Sequence, residues 1–326
     1  MSLELHPISI GALNLKTNIL QAPLASYSDR AYRHLAALYG SPMAISEMVS
    51  VEGLLREGEK TLDLIKRADT EQPNNTNSIP FTVQLFGSKP ESFEKATEVL
   101  LKRDTVPLID INAACPVKKV MKTGSGASLM SSPELIGKIV KTIKDVTEGK
   151  IAVTVKLRIG INMSHLNYLQ CAEEAFKNGA DSIALHTRTS EQLYRGKADH
   201  SYTKTLKDEF KDKVIIASGD IFSRDDAQRI IRETGADGVL GARGAIGNPF
   251  IFSNNEYTDD EYINAFIKHV ELHEYYNDSP LKELRKFAPY YLKHVSKNTK
   301  DARVFICSKA VTKADFINTL ESLKSN

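Results

Sequence analysis

The chain has no tryptophan and only three cysteines, Cys115, Cys171 and Cys307, among 326 residues. Three widely spaced cysteines do not make a disulfide framework or a cysteine-rich zinc module, so neither a stapled secreted scaffold nor a zinc fold is expected. Long apolar runs are also missing. Stretches such as 214–217 are strand-length, far short of the roughly 20 residues a membrane-crossing helix needs, so no membrane span is expected. The segment 1–7 lacks the basic start and apolar middle of a signal peptide, which points to a cytoplasmic protein. Net charge is small: 43 Lys and Arg against 41 Asp and Glu leave +2, which does not by itself mark a nucleic-acid binder. The charge is nevertheless sorted. Nine basic residues between Lys282 and Lys313 stand against Glu283 and Asp301, whereas 256–278 carries seven acids against Lys268.

From residue 19 to about 252, short apolar β-type runs alternate with longer amphipathic stretches, the pattern of repeated βα units. Eight strands are predicted, at 18–22, 43–47, 81–86, 108–112, 151–157, 182–186, 214–217 and 238–240. Between them, Ser132-Pro133-Glu134 reads as a helix start with proline at its first position, and Ser223 with Asp226 as a capping box. Eight strands, each followed by a helix, predict an α/β fold of the (β/α)8 TIM-barrel type over 1–254. Beyond it the β signal stops, and helices at 262–276, 281–297 and 301–323 predict a small all-helical C-terminal domain, 255–326. The polar stretch 69–78 reads as an exposed loop.

A TIM barrel works at the C-terminal ends of its strands. Here those ends carry Pro23, Leu24 and Ala25; Gln84; Asn112 with Cys115 just after; Lys156 and Arg158; His186 and Arg188; Ser218, Gly219 and Asp220; and Gly241, Ala242 and Arg243. The two Gly-rich loops at strands seven and eight suit an anionic cofactor. Gln84 and Asn112 offer amides able to read a flavin-like ring edge, and Lys156 can meet negative charge on it. Singly, each has an ordinary explanation: turn glycine, a snorkelling lysine, a small buried cysteine. Their convergence on one face is what a purely structural barrel does not need. Cys171 and Cys307 read as simply buried, and His269 and His273, one helical turn apart, lack the acidic partner of a metal pair, so no metal is expected.

These residues resemble a known family over nearly the whole chain. QAPLASYSDR (21–30), SEMV (46–49), VQLFG (83–87), DINAACPVKKV (110–120) followed by GSGASL (124–129), VKLRIG (155–160), HTRT (186–189), SGDI (218–221) and ARGAIGNP (242–249) follow the order of motifs in the tRNA-dihydrouridine synthases. The resemblance implies FMN in the barrel, NADPH or NADH as reductant, tRNA as partner and a probe of tRNA phosphates by the helical tail, in a monomeric enzyme. Carried over, Pro23, Leu24 and Ala25 would lie along the flavin ring. Gln84 and Lys156 would meet its polar edge, and Asn112 and His186 would line the pocket between flavin and base. Ser218, Gly219, Asp220, Gly241, Ala242 and Arg243 would hold the phosphate. Arg158 and Arg188 would face the base, and Lys282, Arg285 and Lys286 would contact tRNA. Cys115 corresponds to the acid that protonates C5 of uracil once hydride has reached C6. Four positions depart from the family: Ala114 and Ala242 replace glycines, Ser218 an asparagine, and His200 stands where a tryptophan is usual. The runner-up readings are an FMN-dependent dehydrogenase of a free pyrimidine such as dihydroorotate, and a non-catalytic tRNA-binding chaperone.

Overall fold

The computed structural model describes residues 6–72, 78–103, 106–253 and 257–324. Eight strands form one parallel sheet: β1 (Ile19–Gln21), β2 (Ala44–Ser50), β3 (Phe81–Phe86), β4 (Leu108–Ala113), β5 (Ala152–Arg158), β6 (Ser182–His186), β7 (Val214–Ser218) and β8 (Gly238–Gly241). They pair in sequence order from β2 to β8, and β8 pairs with β1. At the remaining seam the Ile45 N–H donates to the Gln21 side-chain oxygen at 2.8 Å, so a glutamine side chain helps to close the barrel between β1 and β2.

Alternation along the strands produces two cores, because successive side chains point to opposite faces. Leu20, Ile45, Leu108, Ala152, Ala184, Ile216 and Leu240 form an inner cluster, plugged by Ile8, Ile10 and Leu15 of a short N-terminal ribbon. Their neighbours, such as Val83, Ile109, Val153 and Ile183, pack outward in a larger cluster with the surrounding helices. Helix α1 (Arg30–Leu38) starts on Asp29, whose carboxylate accepts the Tyr32 N–H. Then follow α2 (Pro90–Arg103), α3 (Pro133–Val146) with proline at its start, α4 (Tyr168–Lys177), α5 (Ser201–Glu209) and α6 (Arg224–Thr234), entered through the Ser223–Asp226 capping box.

Four expectations need correction. β8 is followed by a 3-10 turn, Pro249–Phe252, in place of a barrel helix. The helix expected at 281–297 is a 3-10 segment, Leu281–Phe287, leading into the short α8 (Ala288–Leu292); Pro289 cannot donate the N–H that would continue an α-helix back into the preceding turn. The helix expected at 301–323 is two, α9 (Lys300–Ser308) and α10 (Lys313–Glu321), because Thr312 and Asp315 make a capping box that begins a new helix. The stretch 69–78 opens with a 3-10 turn, Asp69–Glu71, whose Glu71 is fully buried against Arg33 at 2.9 Å; 73–77 lie outside the described residues, as does the boundary expected at 254/255.

Helix α7 (Asp259–Tyr276) follows the barrel and packs on α1; α8 and α10 pack on α7, and α9 on α8 and α10. Ala31, Tyr32 and Leu35 share one cluster with Phe266, Phe287, Tyr291, Ile306 and Phe316. The helical tail is therefore seated on the barrel helix that follows the first active-face loop. Among the described residues no helix is long and apolar enough to cross a membrane. Cys171 is buried as expected, but Cys307 is exposed, since α9 buries only Ile306.

Candidate active site

At the C-terminal ends of the strands lies a cleft of about 710 Å³, within the size range of small-molecule sites. Pro23, Leu24, Ala25, Met48 and Leu240 supply apolar lining. Gln84, Asn112, Lys156 and His186 come from strand ends, and the loops 218–220 and 242–244 complete the wall. Cys115 lines it too, half-buried, as do Ala114 and Pro116. Strand register explains the grouping. Asn112 sits beside Lys156, and Arg158 beside His186 and then Ser218, on successive strands.

The Cys115 loop is held from below. Asn112 Oδ1 accepts the N–H of Ala114 at 3.1 Å and of Cys115 at 2.9 Å, while Asn112 Nδ2 donates to Gln84 Oε1 at 2.7 Å. Burial pushes Lys156 down to about 8, helped by the like charge of Arg158 and opposed by Asp110 and Cys115. Burial also pushes His186 far below the usual histidine range, reinforced by Lys156, Arg158, Arg188 and Arg243, so its ring is neutral in the cleft.

The two arginines expected to face substrate are placed differently. Arg158 lines the cleft and fastens backbone with Nε and Nη1: Nε donates to Ala114 O at 2.9 Å, Nη1 to Thr189 O at 2.8 Å and Leu193 O at 3.1 Å. It ties the cysteine loop to the loop carrying Leu193 and Tyr194. Arg188 is 1% exposed and absent from the cleft lining; its Nη2 donates to Gly196 O at 2.8 Å and pairs with Asp220 at 2.6 Å. Asp220 also accepts from Ala198 N–H and Arg243; against burial, Arg188 first, then the Ala198 N–H and Arg243, hold its carboxyl below the ordinary range. Gly241 lies in β8 behind the lining. Glycine is required at 219, where φ is +117° and a Cβ would come within 2.9 Å of Ala198. His200, in place of the usual tryptophan, donates from Nε2 to Gly219 O at 2.9 Å.

Lys282, Arg285 and Lys286 stand outside the cleft. Lys282 is exposed; Arg285 Nε donates to Ala310 O at 2.7 Å; Lys286 lies 5.5 Å from the rings of both Tyr27 and Phe287. Several rim residues escaped the strand-end reading: Tyr27, Leu193, Phe222 and Tyr290. The guanidinium of Arg243 lies 4.5 Å from the Tyr194 ring and 5.5 Å from that of Phe222, between two exposed aromatics. Exposed aromatics in βα loops were the available signal for Leu193-Tyr194 and Phe222. None existed for Tyr290, which a tail helix brings to the rim. His269 and His273 are buried against Tyr291 and Ser279, away from the cleft.

Fold and cleft define a (β/α)8-barrel enzyme whose thiol, lysine and amides share one cavity with two glycine-bearing turns. A family model described as dihydrouridine synthase matches residues 20–323, and the chain belongs to that family. It is 37% identical over 253 residues to a probable tRNA-dihydrouridine synthase of Treponema pallidum, covering 76% of this chain and 72% of that protein. With tRNA-dihydrouridine synthase B of Vibrio parahaemolyticus it shares 33% over 311 residues, covering 91% and 93%. Among solved structures, histamine dehydrogenase from a Rhizobium superposes with a TM-score of 0.55 at 13% identity, over 83% of this chain and 51% of that one. A variant of NCR from Zymomonas mobilis gives 0.52 at 16%, over 76% and 89%. At these identities both speak to the fold alone.

Proposed function

We propose that the chain's reaction, flavin-dependent synthesis of dihydrouridine in tRNA, takes place in this cleft with FMN as the flavin, NADPH or NADH as the reductant and Cys115 as proton donor to C5 of the target uracil. The observation that carries the reading is that Cys115 shares one cavity with Lys156, Gln84 and Asn112 and with the turns at 218–220 and 242–244. The donor set fits the cofactor. Pro23, Leu24 and Ala25 are an apolar wall for a flat ring, Gln84 and Lys156 can meet its polar edge, and Arg243 with the backbone of the two turns suits a phosphate. When bound, the flavin supplies hydride to C6 of uracil.

The chain's own residues do the rest. The Cys115 thiol gives its proton to C5, so hydride and proton together saturate the C5–C6 bond. Lys156 stays cationic at neutral pH and offsets negative charge at the ring edge, while neutral His186 can hydrogen bond without trading a proton. The uracil must leave its stack to reach the cleft, and Tyr27, Tyr194 and Tyr290 at the rim offer faces for the displaced nucleotide. The tail from 255 to 326, with Lys282, Arg285 and Lys286, serves as a tRNA-binding domain on the 1–254 catalytic domain. The enzyme works as a monomer in the cytoplasm. Membership of the family displaces the readings as a free-pyrimidine dehydrogenase or a non-catalytic chaperone.

The test is mass spectrometry of an unmodified tRNA transcript incubated with the protein and NADPH. Dihydrouridine is expected from the wild type, and the Cys115→Ala variant should keep its flavin yet turn over at least about 100-fold more slowly. Equal turnover removes Cys115 from the role of acid.

A further inference from the structure

We infer that Asp110, on the barrel floor beneath the cleft, is a positioning residue that sets the direction of a chain of amides ending at the Cys115 backbone. Its carboxylate accepts from Gln84 Nε2 at 2.6 Å and from Thr154 Oγ1 at 2.6 Å. Gln84 Oε1 then accepts from Asn112 Nδ2 at 2.7 Å, and Asn112 Oδ1 accepts the N–H groups of Ala114 and Cys115. Each link is an amide with a donor end and an acceptor end. Reversing one link sets NH2 against NH2 or oxygen against oxygen at the next, so all must point the same way. The lower terminus accepts only, as an ionised carboxylate; the upper terminus, two backbone N–H groups, donates only. The arrangement satisfies both.

All the side chains concerned are buried, so a misdirected link leaves a buried polar group without its protein partner. Strand register builds the chain: Gln84 lies beside Asp110 on β3 and β4, Asp110 beside Thr154 on β4 and β5, and Asn112 is the next inward residue along β4. Burial raises the Asp110 carboxyl to about 6, against hydrogen bonds from Gln84 and Thr154 and the charge of Lys156, which leaves it ionised at neutral pH. The same orientation leaves one further N–H on each amide for the cleft that both line. Asp110 itself is absent from that lining and acts only through the others.

The inference rests on Cys115 as the acid, and the test separates the two. In a Cys307→Ser background, which removes the exposed thiol, three quantities are measured: the rate of Cys115 alkylation by iodoacetamide, flavin absorbance, and kcat and KM for tRNA reduction. Alkylation reads the loop's position whether or not that thiol is the acid. Asp110→Leu should change alkylation at least about threefold and lower kcat at least about tenfold, with KM for tRNA little changed. Asp110→Asn keeps an oxygen for Gln84 and turns its NH2 toward the Thr154 hydroxyl, so both readouts should return to within about threefold of wild type. Adding Thr154→Val to Asp110→Asn removes that acceptor and should undo the rescue, while Thr154→Val alone should be near wild type. Wild-type behaviour of Asp110→Leu overturns the inference. So does an Asp110→Asn variant as slow as Asp110→Leu, which would make charge rather than direction the requirement. Should the leucine variant fail to fold or to hold flavin, equality between Asp110→Asn and the Asp110→Asn, Thr154→Val pair overturns it.

Discussion

Lys156 and Arg158 follow one another along the inward face of β5 and do different work. Both line the cavity; burial lowers the Lys156 pKa to about 8, whereas Arg158 donates to three carbonyls and holds two loops together. Both are basic residues at a strand end, so only their partners separate a reactive group from a fastening. Asp110 shows the same tension between stability and chemistry. Its folded pKa of about 6 lies above the ordinary 3.8, so the folded state favours the proton. That favourable contribution is fully present below about pH 4 and is lost as pH rises through about 6, leaving an ionisation cost of roughly 2–3 kcal/mol near neutrality. Asp110→Asn removes this cost. Thermal unfolding should show the variant gaining on the wild type as pH goes from about 5 to about 8, and a constant difference in Tm would contradict the assignment.

At the scale of elements, the junction between barrel and tail depends on one glycine. Gly247 has φ of +69°, and a Cβ there would come within 2.3 Å of the Tyr290 carbonyl carbon and 2.5 Å of the Tyr291 nitrogen. Only without a side chain can α8 approach the β8 loop closely enough to put Tyr290 on the cleft rim. Gly247→Ala is expected to cost about 2 kcal/mol or more, from left-handed backbone and backbone overlap together. Denaturant unfolding checks the loss, and limited proteolysis should place new cleavage sites in the tail. Helix starts were legible at Pro133 and Ser223, whereas the Thr312–Asp315 capping box, a local signal of the same kind as Ser223–Asp226, was masked by an amphipathic pattern that runs on across it.

For the whole molecule, sorted charge is the feature that a net of +2 conceals. Part of the basic tail is already engaged: Lys313 meets Glu274 at 2.7 Å, and Arg285 is bound to Ala310. Lys282, Lys293 and Arg303 are exposed on the tail's surface and are the better candidates for phosphate contacts. Affinity for tRNA should fall linearly with the logarithm of salt concentration, and neutralising each of the three to glutamine should reduce that slope by about 1 where it meets a phosphate. Filter binding across a salt series measures this, and an unchanged slope would move the contact surface elsewhere.

The order of motifs and the alternation of apolar runs were enough to determine the barrel, its eight strands and the residues at their ends, because periodicity and turn chemistry are local properties. Cys115, Lys156, Gln84 and Asn112 were legible for the same reason: a barrel brings all strand ends to one face. What a side chain does once there was decided by the tertiary structure. Arg158 and Arg188 became fastenings, Glu71 left its polar loop for a buried pair with Arg33, and Tyr290 reached the cleft from a tail helix. Hydrogen-bond partners and burial are set by groups distant in the chain, and no local pattern encodes them.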